Sequence, residues 1–462
     1  MKNPELITAD DLNVWPDKDA RDAQENFPLL IRHLLLNTPG VSVVSVRAGN
    51  GVSEPGYDGV AQSDGTVSVL PPGSLLFEFG TNKDIGAKAT DDYRKRVRQD
   101  DAASHVFVFA TPRRWRGKEK WLKEHRSKGI FADIWALDAD DLEAWLDVSP
   151  VSHYWISEHL GRQPDDAQTL EHWWNAFHRA TQPELPLSMF MAGRESTRDK
   201  LRELLAKVPR TITIQADWRD DCLAFIYASL AVDAEDRLNT LDQSVIIVKS
   251  SAAWNRIARH PGRSILIPAF DDADKQLALD NGHHVLQIVD REQVALREPD
   301  LQLLRVSRPD VQVLLSDCGV NFQKASYLAG LARRNMPSFV RALTRDASIR
   351  RPVWATDANA PMLAALTLVG AWDANNDKDT QAIAALVGGD YDTVTSLCQQ
   401  RSGGNDPVLI HSGSAWRFAS LEEAFRCLSS RITDSVIERW KQMTLDVLGE
   451  ANPSYGLNAL EK

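Results

Sequence analysis

The sequence predicts an α/β protein of several domains, and three observations lead to that class. Short apolar and β-branched runs such as "VSVVSV" and "SVIIV" alternate with segments in which apolar residues recur at helical spacing. The chain has 462 residues, of which 43% are hydrophobic and 25% charged, so it is long enough to bury more than one core. No apolar run approaches the roughly 18 residues that would suggest a membrane span.

The N-terminal residues and the cysteines indicate the compartment. The start "MKNPELITADD" has neither the basic beginning nor the apolar middle of a signal peptide, so we expect a cytoplasmic protein that does not contact a membrane. Neither a disulfide framework nor a zinc site is expected, because the cysteines are scattered without paired metal-ligand spacing. They are Cys222, Cys318, Cys398 and Cys427.

The first predicted domain covers residues 1–161 and has mixed α/β layers. Its first helix is "ARDAQENFPLLIRHLLLN", in which Phe27, Leu30, Ile31 and Leu34 share one face. A strand "GVSVVSVRAG", a Gly- and Pro-rich turn, a weaker strand "VAQSDG" and the strand "GSLLFEFG" follow. Thr90 is a candidate cap for a helix "DDYRKRVRQDDA", and the strand "SHVFVFAT" comes next. The order is therefore helix, three strands, helix, strand.

Two carboxylates in this domain stand where burial is costly. Glu78 lies inside the apolar run "SLLFEFG", and Asp58 precedes the strand before it. A buried carboxylate needs compensation, and a divalent cation held jointly by Asp58 and Glu78 would supply it.

This order of elements, with Asp58 before one strand and Glu78 on the next, resembles the PD-(D/E)XK restriction-endonuclease-like superfamily over residues 20–161. The resemblance implies a nuclease in which Asp58 and Glu78 hold Mg²⁺ or Mn²⁺ and a nearby lysine orients or activates the attacking water. It also implies that Glu25, on the first helix, is an additional acidic ligand. Phosphodiester hydrolysis needs a polarised phosphoryl group and a nucleophilic water, and a hard cation with oxygen ligands supplies both.

The sequence departs from this family pattern at the lysine. In the family the lysine lies two residues after the glutamate, and in this sequence that position is occupied by Gly80. Lys83 would face away if the strand continued that far, unless a turn at Gly80 brought it back. Lys88, ahead of the predicted helix, is the preferred candidate, since some members of the superfamily carry a lysine that has migrated onto that helix. A domain that binds without cutting is the alternative.

A basic stretch follows Glu78. Residues 83–128 contain 14 Lys and Arg against 7 Asp and Glu, although the whole chain has a net charge of −11. A local basic face beside an acidic metal site is what a nucleic acid substrate needs, and we predict DNA contacts, with RNA possible, through Arg94, Arg96, Arg113 and Arg114. A solvated helix face with internal ion pairs is the competing interpretation.

Residues 162–192 are predicted to be a connector, and residues 193–305 a parallel sheet covered by helices. The alternation of strands and helices in residues 193–305 resembles the signal-transducing P-loop ATPases. The expected phosphate loop is absent, because "TITIQADWRDDCLAF" has no glycine or lysine between Gln215 and Phe225, while Asp217, Asp220 and Asp221 would repel phosphate. We expect an ATPase-like scaffold that does not hydrolyse ATP and holds no nucleotide cofactor. An unrelated Rossmann-like layer is the alternative.

Residues 306–462 are predicted to be helical, beginning with a winged-helix-like unit in which "NMPS" forms the turn. The whole arrangement resembles prokaryotic antiphage defence effectors, which implies a nuclease regulated by the ATPase-like and helical regions. That resemblance also makes a homo-oligomer or a phage-derived trigger possible partners. The alternative function is a non-catalytic sensor or scaffold that retains both folds only as binding platforms.

Overall fold

The structure is a computed structural model that describes residues 6–47, 56–97, 101–231, 244–289, 298–345, 351–402 and 406–449. The chain forms two compact units. The first comprises Met1–Trp174, Leu201–Thr213 and Leu230–Gln287, and the second Asn175–Lys200, Ile214–Ser229 and Ile288–Lys462. The sequence-predicted domain borders after residues 161, 192 and 305 remain predictions.

A five-stranded sheet with flanking helices occupies the N-terminal part of the first unit. The strands run in the spatial order β1-β2-β3-β4-β5; β1, β2 and β3 are antiparallel neighbours, and β3, β4 and β5 are parallel. The predicted order of helix, three strands, helix and strand is confirmed from α2 onward, and helix α1, which was not predicted, precedes it. The elements are α1 (Ala9–Lys18), α2 (Ala20–Leu36), β1 (Val41–Val46), β2 (Gly59–Ser63), β3 (Gly73–Phe79), α3 (Ile85–Arg96), β4 (His105–Ala110), α4 (Lys118–Arg126), β5 (Asp133–Leu137), α5 (Ala139–Asp147) and α6 (Pro150–His159).

The two faces of this sheet pack against different helices. Alternate residues of β3, such as Phe77 and Phe79, join a core with the apolar stripe of α2 that includes Phe27. On the other side, Phe109 of β4 packs in a second core with Tyr93 of α3. Because side chains alternate along a strand, Glu78 points to the α3 side of β3, opposite to its neighbours Phe77 and Phe79.

A six-stranded sheet follows, in the spatial order β11-β7-β10-β9-β8-β6. Strands β8, β9 and β10 are parallel, as are β7 and β11, in agreement with the predicted parallel sheet. An antiparallel edge strand, β6, comes from the predicted connector 162–192 and pairs with β8. The elements are β6 (Ala167–Thr169), α7 (Leu170–Arg179), α8 (Leu187–Met191), α9 (Glu195–Leu205), β7 (Thr211–Gln215), α10 (Arg219–Leu230), β8 (Val245–Val248), α11 (Ser251–Ala258), β9 (Ile265–Pro268), α12 (Lys275–Asp280), β10 (His284–Val289) and β11 (Leu301–Gln302).

The C-terminal third is mainly helical, as predicted, with a small antiparallel sheet in the order β12-β14-β13. The predicted break between two helices is confirmed, but it is shorter than "NMPS": Asn335 alone separates them, and its side chain accepts a hydrogen bond of 3.0 Å from the amide of Ser338 in the first turn of α15. The elements are α13 (Arg308–Asp317), α14 (Phe322–Arg334), α15 (Met336–Leu343), α16 (Ala360–Leu366), β12 (Ala371–Asp373), α17 (Asp377–Val387), α18 (Tyr391–Ser402), β13 (Leu409–Ser412), β14 (Ala415–Phe418), α19 (Leu421–Leu428) and α20 (Asp434–Gly449).

Within the described ranges, no helix combines the length and the apolar character that crossing a membrane requires.

Candidate active site

The structure brings Asp58 and Glu78 together across two antiparallel strands. Gly59 of β2 pairs with Phe77 of β3, so the same register continued by one residue places Asp58 opposite Glu78. Directly opposed residues of an antiparallel pair project to the same face. Asp58 is further fixed by its Oδ2 atom, which accepts a hydrogen bond of 2.8 Å from the amide of Phe79. The predicted pair of carboxylates therefore shares one face of the sheet.

Helix α3 covers this face with charged side chains at four-residue spacing. Lys88, Asp92 and Arg96 follow one another at positions i, i+4 and i+8, so they lie along one side of the helix. Lys88 Nζ lies 2.7 Å from Asp92 Oδ2, and Lys95 Nζ lies 2.9 Å from Asp92 Oδ1. The Asp92 side chain is only 1% exposed, so both lysines compensate a buried charge.

Helix α3 begins earlier than Thr90, the predicted cap. Asp84 caps the helix instead, because its Oδ1 accepts a hydrogen bond of 3.0 Å from the amide of Ala87. Thr90 lies within the helix, where its hydroxyl donates to the carbonyl of Gly86. Lys88 is thus a residue of the first turn of α3 and not of the loop before it.

Gly80 explains how Lys88 enters the site. A Cβ atom at Gly80 would lie 3.0 Å from Lys88 Cγ and 2.6 Å from Phe109 Cζ. The space that a strand lysine would need at Gly80 is therefore filled by the stem of Lys88 and by the Phe109 ring. The charge of Lys88 acts on Asp58, where it opposes the burial that raises the pKa of that carboxyl.

Arg96 is hydrogen-bonded to one of the two carboxylate oxygens of Glu78. Its Nε donates to Glu78 Oε1, and its Nη2 donates to the carbonyl of Gly56. The guanidinium also lies 4.7 Å from the centre of the Tyr57 ring, in cation–π contact. Arg96 was predicted to contact nucleic acid, but its side chain is only 15% exposed and it is held in the site itself.

Both strand carboxyls are harder to ionise than usual. Burial raises the pKa of Glu78 to about 7; the hydrogen bond from Arg96 opposes this rise and the Asp58 carboxylate adds to it. Burial also raises the pKa of Asp58, against the lowering effect of the Phe79 amide and the Lys88 ammonium. The nearby cations therefore only partly offset the cost of removing these two charges from water.

Two other predicted site residues lie on the surface with other partners. Glu25 forms an ion pair of 2.8 Å with Arg21 on the exposed side of α2. Lys83 is exposed, and its Nζ lies 3.5 Å from Asp17 Oδ1. Of the two candidate lysines, Lys88 is the one whose charge acts on Asp58, while its ammonium forms an ion pair with Asp92.

The other three arginines that were predicted to contact nucleic acid differ in how exposed their side chains are. Arg94 is exposed, and its guanidinium lies 3.7 Å from Asp91. Arg113 is largely buried and donates to the carbonyl of Thr81 and to Asp17. Arg114 pairs with Asp10 and Asp140. Arg94 is consequently the most accessible of the four predicted arginines.

The sequence reasoning assigned no role to Asp92, Lys95 or Tyr57. The four-residue spacing from Lys88 to Asp92 is a signal that identifies Asp92 as its partner, since such positions are neighbours on a helix. Tyr57 precedes Asp58 and carries no comparable signal. Its hydroxyl is buried and, among the residues the structure describes, has no hydrogen-bond partner.

A second junction between a strand and a helix carries acids without forming a comparable site. Only residues 216–218 separate β7 from α10. Asp221 accepts from both terminal nitrogens of Arg194, at 2.9 and 2.6 Å, and both side chains are almost fully buried. Arg305 Nε donates to Asp217 at 2.7 Å. A phosphate loop needs more residues and free amides at this place, so the geometry gives a second reason to expect no ATP hydrolysis.

Over the described ranges, no group of three or more His, Cys, Asp or Glu side chains is arranged to hold a metal ion. Comparison with protein-family models and with curated protein sequences finds no match for this chain.

Proposed function

We propose that the face formed by β2, β3 and α3 is a metal-dependent nuclease site of the PD-(D/E)XK type. In this proposal Asp58 and Glu78 are ligands of Mg²⁺ or Mn²⁺, and Lys88 is the catalytic lysine. The observation that carries the proposal is the packing of the Lys88 stem in the space above Gly80, 3.0 Å from where a Cβ would be. Helix α3 thereby supplies a lysine whose charge acts on Asp58, although the strand position two residues after Glu78 carries none.

The donor atoms present suit a hard cation. Among the described residues, Asp58 Oδ1 and Glu78 Oε2 receive no hydrogen bond, so each carboxylate keeps an oxygen available. The raised pKa of both carboxyls means that their negative charges are incompletely compensated, which a divalent cation would correct. Bound there, Mg²⁺ would polarise the phosphoryl group and lower the pKa of a coordinated water.

Three side chains near the proposed metal site would each have a separate role in the reaction. The Lys88 ammonium, already beside Asp92, supplies a positive charge next to the phosphate or the attacking water. Arg96 fixes the orientation of Glu78 through Oε1 and leaves Oε2 available. The exposed Arg94 on the same helix would contact the nucleic acid backbone without reading its sequence.

The finer fold assignments and the biological role rest on resemblance alone. We propose a restriction-endonuclease-like N-terminal domain, a P-loop-ATPase-like middle region without phosphate loop, and a winged-helix-like C-terminal region. On this proposal the protein is a DNA-cutting, cytoplasmic effector of antiphage defence. The trigger of the nuclease would act through the middle and C-terminal regions.

One observation favours the alternative of a non-catalytic sensor or scaffold. The site holds three acids and three cations: Lys88 and Lys95 pair with Asp92, Arg96 pairs with Glu78, and Lys88 and Arg96 act on Asp58 through their charges, which is the composition of a structural ion-pair cluster. The acids are Asp58, Glu78 and Asp92, and the cations are Lys88, Lys95 and Arg96. In that case the cluster would stabilise α3 on the sheet and cut nothing.

Incubation of the purified chain with supercoiled plasmid, linear DNA and RNA, with Mg²⁺, Mn²⁺ or a chelator, separates the two functions. We expect metal-dependent cleavage of DNA that falls at least about 100-fold in Glu78→Gln, because the variant loses a metal ligand. Asp91→Asn, which changes an exposed acid of the same helix, is the matched control and should cut at the normal rate. Absence of metal-dependent cleavage on every substrate, or full activity of Glu78→Gln, would contradict the nuclease proposal.

A further inference from the structure

A second concave site lies in the second compact unit. It is a cavity of about 910 Å³, formed where β11 leads into α13 and where α14 passes over that junction. We call it the arginine cavity, after the charged residues that line it: Arg305, Arg308, Arg333 and Arg334. None of its described lining residues belongs to the short junction between β7 and α10.

The charge of the arginine cavity is one-sided. No Asp or Glu is among the described residues that line it. Arg305 forms an ion pair with Asp217, at 2.7 Å, but Arg308, Arg333 and Arg334 have no ion pair with any described carboxylate. A second cavity shares Arg305, Tyr327 and Arg334 with this one and is also lined by Glu422, so Arg308 and Arg333 are the least compensated of the four. The whole chain has a net charge of −11, and a cluster of arginines is contrary to its average composition. Such clusters usually meet an anion, because like charges held together destabilise the empty site.

Local packing directs these arginines to the cavity. Gly330 of α14 faces Arg308, and a Cβ at Gly330 would lie 3.7 Å from the Arg308 guanidinium carbon. Arg308 Nη2 donates to Ser326 at 3.3 Å, and Arg333 Nη1 donates to the carbonyl of Val306 at 3.0 Å. These contacts are to neutral groups, so they hold the guanidinium groups in place while leaving their charges uncompensated.

Two further features suit a phosphorylated ligand. The first turn of α13 lines the cavity through Ser307 and Arg308, and the Ser307 side chain does not cap the helix. The positive end of the α13 dipole therefore adds to the arginines. Tyr327, which is 41% exposed, lines the same cavity and offers an aromatic ring.

We infer that the arginine cavity binds a small ligand carrying two or more phosphate groups. Planar guanidinium groups match phosphate oxygens in bidentate geometry, and several of them converge here. The volume of about 910 Å³ lies within the range of roughly 300 to 1,000 Å³ typical of small-molecule sites, which favours a compact ligand over a nucleic acid strand. This inference does not depend on the nuclease proposal.

Isothermal titration of the full chain with inorganic triphosphate, pyrophosphate and phosphate tests it without any cleavage assay. We expect triphosphate to bind most tightly and its affinity to fall with added salt, because the contacts are ionic. Arg308→Ala and Arg334→Ala should each weaken binding at least about tenfold, since each removes a charge-assisted contact. Arg198→Ala, at an arginine paired with Asp199 and outside the cavity, is the control and should bind within about twofold of the unmodified protein.

The contrary outcomes are distinct. Absence of triphosphate binding at about millimolar concentration would overturn the inference, as would binding that neither arginine variant weakens. Binding of a single-stranded oligonucleotide without binding of triphosphate would replace the small ligand with a nucleic acid strand and would also overturn it. Thermal unfolding of each variant checks that an affinity loss is not a folding defect, and the salt dependence of the unmodified protein gives a second readout.

Discussion

The junction between β3 and α3 and the junction between β7 and α10 both carry carboxylates just where a strand passes into a helix, but they use them differently. At the first, Arg96 donates to one oxygen of Glu78, and burial raises the pKa of that carboxyl to about 7. At the second, Arg194 donates to both oxygens of Asp221 in a buried, bidentate pair. The first junction keeps unused oxygen ligands, and the second has none on Asp221.

An acidic residue at a junction between a strand and a helix therefore does not by itself indicate a metal-binding site. The two junctions differ in whether the neighbouring arginine leaves a carboxylate oxygen without a hydrogen bond. Residues 80–84 between β3 and α3 give the chain room to place Lys88 beside the acids, whereas residues 216–218 are too few to form a loop around a phosphate. Under the proposed function, the first junction carries the chemistry and the second has a structural role.

The largest effect should come from breaking the structural junction. Arg194→Ala leaves the Asp221 carboxylate buried without its partner, and we expect the free energy of unfolding to fall by about 3–5 kcal/mol. Arg198→Ala, an arginine of α9 paired with Asp199, should change it by no more than about 0.5 kcal/mol. Urea denaturation measures both. A loss below about 1 kcal/mol for Arg194→Ala would show that the pair is not a structural element.

At the junction between β3 and α3, the incomplete compensation of the Glu78 charge should appear in the pH dependence of the free energy of unfolding. The pKa of Glu78 is about 7 in the folded protein against 4.5 for the free side chain, so the folded state binds the proton more tightly. Protonated Glu78 therefore adds to the free energy of unfolding. This stabilisation is fully present below pH 4.5 and is lost as the pH rises through about 7, a decrease of roughly 3 kcal/mol. Glu78→Gln should therefore flatten the fall in stability over this window.

Glu158 is the matched control for that measurement. Burial also raises its pKa to about 7, against hydrogen bonds from Thr169, so it titrates in the same window. Glu158→Gln should remove a separate part of the slope and leave the part that belongs to Glu78. An unchanged slope in Glu78→Gln, measured by urea denaturation at several pH values, would mean that Glu78 is adequately compensated in the folded protein.

A smaller effect should follow from filling the space that Lys88 uses. Gly80→Ala places a Cβ 2.6 Å from Phe109 Cζ and 3.0 Å from Lys88 Cγ, so we expect a loss of about 1–3 kcal/mol through overpacking. Gly86→Ala, in α3 with nothing within 4 Å of the new Cβ, should be neutral or stabilise by up to about 1 kcal/mol. Equal effects of the two changes, measured by thermal unfolding, would contradict the packing described here.

Much of the fold was predictable because its periodicity is local. The apolar spacing of α2 and the β-branched runs of β8 and β9 each identify an element without reference to the rest of the chain. Strand β6 was missed because it has only three residues and depends on pairing with β8. The start of α3 was placed too late because Asp84 and Thr90 are both acceptable caps by residue type, and in the structure Asp84 is the one that accepts from the amide three residues ahead.

The candidate site was predictable only in part, because local sequence patterns identify individual residues but not the contacts between elements. Asp58 and Glu78 stand out because a carboxylate next to or inside an apolar strand is costly to bury. Arg96 belongs to a run of similar charges, "YRKR", in which nothing local tells an inward residue from a solvated one. Its contact with Glu78 depends on the packing of α3 against β3, which a charge pattern does not encode.

The cleavage rate of Lys88→Ala relative to Lys83→Ala tests most directly whether the helix lysine completes the site. Both are lysines following Glu78, but the charge of Lys88 acts on Asp58, whereas Lys83 is exposed and its Nζ lies 3.5 Å from Asp17 Oδ1. Lys95→Ala, which also removes a partner of Asp92, controls for damage to the ion-pair cluster. We predict at least about a 100-fold loss of Mg²⁺-dependent DNA cleavage for Lys88→Ala and less than about threefold for the other two, with Lys88→Ala and Lys95→Ala losing similar thermal stability because each leaves Asp92 one partner. Full cleavage by Lys88→Ala, or an equal loss in Lys83→Ala, would contradict the account.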